Sequence, residues 1–321
     1  IEQYIFAEEI QRTGYPFPFL TIGTVGPTIM KFGTEEQRAR FLPKVLAGEI
    51  LFAIGYSEPD AGTDLASLKT RAVRDGDEWV ISGQKIWTSL ADHCDFVWLA
   101  CRTDADAPKH RGISMILEPL DAPGVSLSPI LTVGGTRTNA TFYEDVRVPL
   151  DNLVGGENQG WRLITNQLNH ERVSLFNYGP VHMLYEDVVH WAREADHPSG
   201  GKVADIPWVQ AHLGSFRAHL EVLRLMNWKQ AWDITQGGLD PAQASAIKVF
   251  ASEFHVAGHR WLMEVLGEPG TIRGGEPGAV LQGRVELQSR AALVLTFGAG
   301  VNEVQRDIIA MAGLGLPHYK S

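Results

Sequence analysis

The sequence predicts a multi-domain α+β protein, with N-terminal helices, a central β-domain of barrel or sandwich type, and a C-terminal four-helix bundle. Three observations carry this. Helical patterning fills residues 1–49, short turn-bounded β-branched and aromatic runs fill 50–158, and long amphipathic helical patterns fill 159–321. The expected domains follow these limits, the first being the C-terminal part of an N-terminal helical domain.

Residues 1–13 and 34–48 read as helices. The second, "GTEEQRARFLPKVLAGE", has Thr34 as N-cap, acids in its first turn and Gly48 near its end. From residue 50 the texture changes to "LFAIGYSE", "KTRAVRD", "EWVISGQKIWTS", "DFVWLACRT", "GISMILEPL" and "TFYEDVRVP". Asp75-Gly76 is a hairpin signal between two of these strands. Beyond Gly160 the helices are expected at about 160–195, 206–236, 240–266 and 283–312, with "GEPGTIRGGEPG" as the loop before the last. "HPSGGKVADIP" (197–207) reads as a surface loop.

At 321 residues the chain can bury a large core. A net charge of −10 argues against nucleic acid or an anionic membrane as the main partner, while leaving room for a local phosphate pocket. Cys94 and Cys101 have neither metal nor redox spacing and read as buried thiols in a reducing cytoplasm. No apolar run approaches the roughly 18–20 residues needed to span a bilayer, and no signal peptide is visible. The chain opens on "IEQYIFAEEI" without Met, so an upstream segment is expected.

The stretch "LITNQLNHERVSLFNY" (163–178) places Ile164, Leu168, Leu175 and Tyr178 on one helical stripe. Glu171 falls on that same stripe. A buried unpaired carboxylate is costly, so Glu171 is paired with Arg172 or His170, neutral, or functional. "GYSEPDAGTDLASLKT" (55–70) leaves a strand, turns on Pro59 and Gly62, and carries Ser57, Thr63 and Asp64. Such a turn offers N–H groups and hydroxyls to a polar ligand, or is a plain loop. "GQKIWTS" (83–89) offers the Trp87 indole with Thr88 and Ser89 to a flat ring, or contributes a core tryptophan. His255 and His259 stand at i,i+4, a possible metal pair, but no third ligand is evident and no metal is expected.

In this order, the 55–70 and 83–89 stretches, with "TNATFYEDVRVPLDNLVG" (138–155) and "AGVNEVQRDII" (299–309), resemble the acyl-CoA dehydrogenase family over nearly the whole chain. The resemblance implies FAD between the β-domain and the bundle, an acyl-CoA substrate, and an electron-transfer flavoprotein as acceptor. The implied reaction is α,β-dehydrogenation: a carboxylate removes the α-proton while the β-hydride passes to the flavin. Many family members carry the base in a late loop resembling "YEGTSEIQR"; here "FGAGVNEVQR" (297–306) puts Ala299 at that position. A minority branch places it on the first bundle helix, at the position of Glu171. The Ala299 N–H can still polarise the thioester carbonyl.

The resemblance further implies flavin contacts at Ile54, Tyr56, Ser57, Thr63, Trp87, Thr88, Ser89, Asn302 and Glu303. Substrate contacts are implied at Thr63, Thr136, Asn169, Arg172 and Ala299. In family homotetramers a neighbouring subunit holds the FAD tail through "R-x-x-F-G" and "Q-x-x-G-G" stretches. Here these regions read "AREADHPSGGKVADIP" (192–207), with no Phe-Gly, and "EVLGEPG" (264–270), with Glu264 and Glu268 where Gln and Gly are expected. Those acids either repel a diphosphate or point to water. The implied partner is a homologous acyl-CoA dehydrogenase subunit in a heterotetramer, as in a branch acting on steroid side-chain CoA thioesters. Rival readings are a flavin monooxygenase or oxidase on the same fold, and a non-catalytic partner subunit.

Overall fold

Strand β4 (Phe96–Arg102) shows how the sheet is built, because its residues are buried on both faces. Trp98 and Ala100 enter one core; Val97, Leu99 and Cys101 enter another. A strand covered on both sides needs a continuous apolar run rather than an alternating one, and "FVWLACR" supplies it. The computed structural model describes residues 1–15, 17–175, 178–238 and 240–317; the side chains of Gln3 and residues 169–175 lie outside that description.

The chain forms two compact units: Pro18–Thr132 with Thr136–Glu171, and Ile1–Phe17 with Val133–Gly135 and Arg172–Ser321. The first unit holds β1 (Phe52–Gly55), β2 (Arg71–Asp75), β3 (Glu78–Lys85), β4, β5 (Ile113–Pro119), β6 (Val125–Leu131), β7 (Arg137–Pro149) and β8 (Leu153–Val154). They form one sheet in the order β6-β7-β3-β2-β4-β5-β8, with β1 parallel to β4. The Asp75-Gly76 turn joins the antiparallel pair β2–β3 as expected, with Gly76 at φ +62°. On one face the sheet packs with Val25, Ile29, Phe41, Leu163 and Ile164 from helices of the same unit.

Those helices are α2 (Gly26–Phe32), entered through a π-helical turn at Leu20–Val25, α3 (Glu35–Ala47), and the start of α4 (Gly160–Leu175). Thr34 caps α3 as the sequence predicts, accepting from the Gln37 N–H at 3.2 Å while the Gln37 side chain accepts from the Thr34 N–H at 3.1 Å. The 20–32 helix was not expected from sequence. Its "LTIGTVGPTIMKF" carries three threonines, glycines and a proline, all weak helix signals. Thr24 and Thr28 nevertheless donate their hydroxyls to the carbonyls four residues back, which lets them be buried in a helix.

The second unit contains α1 (Glu2–Arg12), α5 (Tyr178–Glu194), α6 (Pro207–Thr235), α7 (Pro241–Leu266), α8 (Arg284–Ala291) and α9 (Asn302–Ile308). Val188, Phe216, Leu220, Leu223, Ala251 and Phe254 are among its core residues. The helix expected over 160–195 appears as α4 and α5 on either side of residues 176–177, which lie outside the described residues. One expectation is corrected. In place of one helix over 283–312, α8 runs into a 3-10 turn at Ala292–Thr296 and a loop precedes α9, because Ala299 and Gly300 take left-handed backbone. Strand β6 was also missed. It carries Pro129, which a sheet tolerates because β6 is an edge strand. Cys101 is fully buried, whereas Cys94 is only half-buried; burial pushes both thiols up to about 12.

Glu118 on β5 is fully buried, and among the described residues neither carboxyl oxygen has a hydrogen-bond partner. Burial, then the charge of Asp121, pushes its carboxyl from 4.5 up to about 9. Between those values the folded chain keeps a proton that the unfolded chain releases, so stability falls as pH rises and levels off above about 9. Glu118→Gln is expected to remove this slope, which is at most about 1.4 kcal/mol per pH unit for a single group. Urea midpoints from pH 5 to 9 test it: the wild type should lose stability more steeply than the variant.

Candidate active site

The loops that follow β1 and β3 are held together from below by a buried ion pair. Lys85 ends the inward register of β3, after Trp79 and Ile81, and is fully buried. Its Nζ lies 2.8 Å from Glu58 Oε1 and 3.2 Å from the Tyr56 carbonyl. Glu58 also accepts from the N–H groups of Lys69 (2.6 Å) and Thr70 (2.8 Å). Burial works against charge on Glu58, but Lys85 and the donated hydrogen bonds outweigh it and hold the carboxyl below its ordinary value. A buried charge is tolerable only with such saturation. The Ile86 N–H then donates to the Ser57 carbonyl at 2.9 Å, linking the two loops directly.

Above this base lie the residues expected to meet a flat cofactor. Ser57, Thr63 and Trp87 are exposed, Ile54 and Ser89 half-buried, and Tyr56 and Thr88 buried. Trp87 is 56% exposed and has φ +62°, an uncommon conformation for a bulky residue. Strand β7 enforces it. Thr88 donates its N–H to the Asn139 carbonyl at 2.9 Å, its hydroxyl lies 3.0 Å from that of Thr141, and Ser89 Oγ lies 3.3 Å from Thr138 Oγ1. Asn139 in turn donates to the Thr88 carbonyl and to Asp92, which pairs with Arg137 at 3.4 Å. An exposed indole on one loop, linked to a loop with exposed hydroxyls, is the donor chemistry that a flat heteroaromatic ring with polar edges requires.

Helix α4 is tied to the same place. The Tyr56 hydroxyl donates to Gln167 Oε1 at 2.8 Å and accepts from Trp98 Nε1 at 3.0 Å. Gln167 is fully buried, one helical turn before Glu171. The backbone of Glu171 is helical, but its side chain lies outside the described residues, as do those of Asn169 and Arg172. Thr136 is exposed, and its carbonyl accepts the Thr132 hydroxyl at 2.7 Å.

In the helical unit, the loop before α9 carries Ala299 at φ +55° and Gly300 at φ +98°. Lys248 Nζ, fully buried on α7, donates to the Thr296 carbonyl at 3.1 Å and to Asn302 Oδ1 at 2.6 Å. Asn302 is thus buried with its side chain engaged by α7, while Glu303 is exposed. Glu264 meets His212 at 2.7 Å and is half-exposed; Glu268 is exposed. Burial lowers His255 to about 3 and His259 to about 4, so both imidazoles are neutral at physiological pH. Among the described residues no group of three metal-ligating side chains occurs, and no helix is long and apolar enough to cross a membrane.

The sequence reading missed Lys85, Glu58, Gln167 and Lys248. The signal was present in each polar residue that sat in an apolar register: Lys85 in the β3 alternation, Gln167 on the α4 stripe, and Lys248 between Ala244 and Ala251 on α7.

Residues 1–49, 53–146 and 158–314 match, in turn, the N-terminal, middle and C-terminal domains of acyl-CoA dehydrogenases. The chain is 52% identical over 323 residues to acyl-CoA dehydrogenase FadE26 of Mycobacterium tuberculosis, covering 99% of this chain and 81% of that protein. FadE29 of the same organism is 46% identical, with the same coverage of 99% and 81%. Among solved structures, the Tcur3481-Tcur3483 steroid ACAD superposes with a TM-score of 0.94 at 54% identity, over 99% of this chain and 82% of that one. The ChsE4-ChsE5 complex from Mycobacterium tuberculosis gives 0.93 at 53% identity, with coverage of 99% and 82%.

Replacing Tyr56 with Phe removes both hydrogen bonds of the Tyr56 hydroxyl at Gln167 and Trp98. Leaving buried polar groups short of a partner costs about 1–3 kcal/mol. Urea denaturation of Tyr56→Phe is expected to show a loss of that size; an unchanged midpoint would mean that the hydroxyl does not anchor α4.

Proposed function

The chain belongs to the acyl-CoA dehydrogenase family, and we propose that it is an FAD-dependent subunit that dehydrogenates an acyl-CoA thioester with Glu171 as its base. The observation that carries this reading is the pairing of two positions. Ala299 stands at the late-loop position where many family members carry the base, and has no side chain that can take a proton, while Glu171 stands on α4 one turn after the anchored Gln167. Supporting it are the end-to-end match to three domains of one enzyme family and the exposed Trp87–Ser57–Thr63 surface.

The residues of this chain would act as follows. Glu171 accepts the α-proton of the thioester, and the electron pair of that C–H bond moves into the forming C=C bond. The Ala299 N–H donates to the thioester carbonyl and stabilises the negative charge that develops on its oxygen. Ser57, Thr63, Trp87 and Ser89, with Ile54, Tyr56 and Thr88, would hold and orient the flavin. Asn302 and Glu303 are assigned to the late flavin-contacting segment, and Thr136, Asn169 and Arg172 to the acyl-CoA. FAD, when bound, supplies the acceptor for the β-hydride. An electron-transfer flavoprotein is the assigned electron acceptor, and the cytoplasm the assigned compartment.

The partner assignment rests on two features. The superposing structures are named as two-component assemblies, one of them a steroid ACAD. This chain also carries Glu264 and Glu268 where family homotetramers hold a neighbour's FAD tail. The reading is therefore a heterotetramer with a homologous subunit, one FAD per unlike pair, and a steroid side-chain CoA thioester as substrate.

Glu171→Gln is expected to slow thioester-dependent flavin bleaching roughly 10²–10⁴-fold, the usual contribution of a positioned base. Anaerobic stopped-flow mixing measures it; wild-type bleaching in the variant would leave a scaffold or an oxidase-type subunit instead. A second experiment compares flavin content in the lone chain and in the co-purified pair. The lone chain is expected to carry little FAD, and full occupancy there would refute the shared site.

A further inference from the structure

We propose that Lys248 is a positioning residue that sets the direction of the Ala299 N–H, with Asn302 as its acceptor; the inference rests on the role given to Ala299 above. A fully buried ammonium must direct its protons at fixed acceptors, since no water is available to take them. Two acceptors of Lys248 flank the loop: the Thr296 carbonyl on one side, at 3.1 Å, and Asn302 Oδ1 on the other, at 2.6 Å. A single side chain on α7 therefore closes the base of the segment that contains Ala299.

The acceptor itself is immobilised. Ser252 Oγ, one turn along α7, lies 3.1 Å from the same Asn302 oxygen. The Asn302 amide donates to Glu253 Oε1 at 3.3 Å, and Arg306 holds that oxygen at 2.6 Å. Within the loop Ala299 has φ +55°, where its Cβ crowds the carbonyl oxygen. At Gly300 any Cβ would come within 2.6 Å of Gln305 Nε2. Gln305 is buried, and its Oε1 accepts the Ser245 hydroxyl at 2.9 Å. An alanine freed from this frame would return to negative φ and turn its N–H away. Lys248 thus acts on the reaction through backbone geometry, without touching the substrate.

The test uses the chain co-expressed with its homologous partner. Lys248→Met keeps the length of the side chain and removes its donors. It is expected to lower kcat roughly 10- to 100-fold, as a misdirected oxyanion donor does. KM should stay within about threefold. The infrared carbonyl band of a bound, non-reactive acyl-CoA thioester should move to higher wavenumber, because its carbonyl is less polarised; a merely structural role would leave that band in place. Adding Ala299→Gly should recover part of the loss, since glycine adopts positive φ without strain. If Lys248→Met does not assemble, Ser252→Ala is read instead, and a smaller band shift in the same direction is expected.

An unmoved band in whichever of these two variants is read overturns the proposal, as does a Lys248→Met loss that Ala299→Gly leaves untouched. Full activity in Glu171→Gln would sink the underlying functional reading, whereas an inactive Glu171→Gln beside an unaffected Lys248→Met sinks the positioning role alone.

Discussion

A lysine buried in a sheet has few stable solutions. The ammonium of Lys85 must be saturated by acceptors that cannot move away, and this chain provides them from the loop that follows the neighbouring part of the sheet. Once Glu58 is fixed on Lys85, its second oxygen captures the Lys69 N–H, and the entire 57–70 loop is closed at both ends. The exposed residues of that loop, Ser57 and Thr63, owe their placement to a charge that no solvent reaches. Neutralising either partner would leave the other charge buried, so the loop geometry and the stability of the unit are one constraint.

The same logic recurs in the helical unit. Lys248 closes the loop before α9, and there, as after β3, a non-glycine residue is held at positive φ: Ala299 in one case, Trp87 in the other. Such conformations persist only when the surroundings over-determine them. Their location supports a functional reading. Each strained residue belongs to a segment to which the family resemblance also assigns ligand contacts, and each strain is opposed by buried hydrogen bonds. Under the proposed function, the Ala299 N–H and the Trp87 indole face would be pre-organised, leaving little rearrangement to the moment of reaction.

Much of this was legible in the sequence, and what was missed has definite causes. Asp75-Gly76 and the Thr34–Gln37 cap are local signals whose meaning does not depend on the rest of the chain, and both appear as read. Helix 20–32 was hidden because its stability comes from burial against the sheet and from threonine back-bonding, which override weak propensity. Strand β6 was hidden by Pro129, harmless only because the strand lies at an edge. At the candidate site, Trp87 and Ser57 were read from the 83–89 and 55–70 stretches, and the structure leaves both exposed. Their supports were not read, since Lys85, Gln167 and Lys248 gain meaning only from partners 27, 111 and 54 residues away in sequence.

Glu171 was singled out by a criterion that applies equally to Gln167: a polar side chain in a row meant for leucine. The two stand four residues apart on α4, on one face of the helix. A helix is stiff over a single turn, so fixing Gln167 through the Tyr56 hydroxyl fixes the backbone from which the Glu171 side chain departs. Proton transfer from carbon demands that the carboxylate lie within hydrogen-bond reach of the α-carbon's proton. A base on a helix meets that demand only if the helix cannot slide or rotate against the sheet. The Tyr56–Trp98–Gln167 bridge opposes both motions, since either would break buried hydrogen bonds. A base in a loop needs no such brace but must be held by the loop itself. With Ala299 in that loop, the base proposed for this chain falls on α4, and the buried Gln167 amide would carry the positional burden.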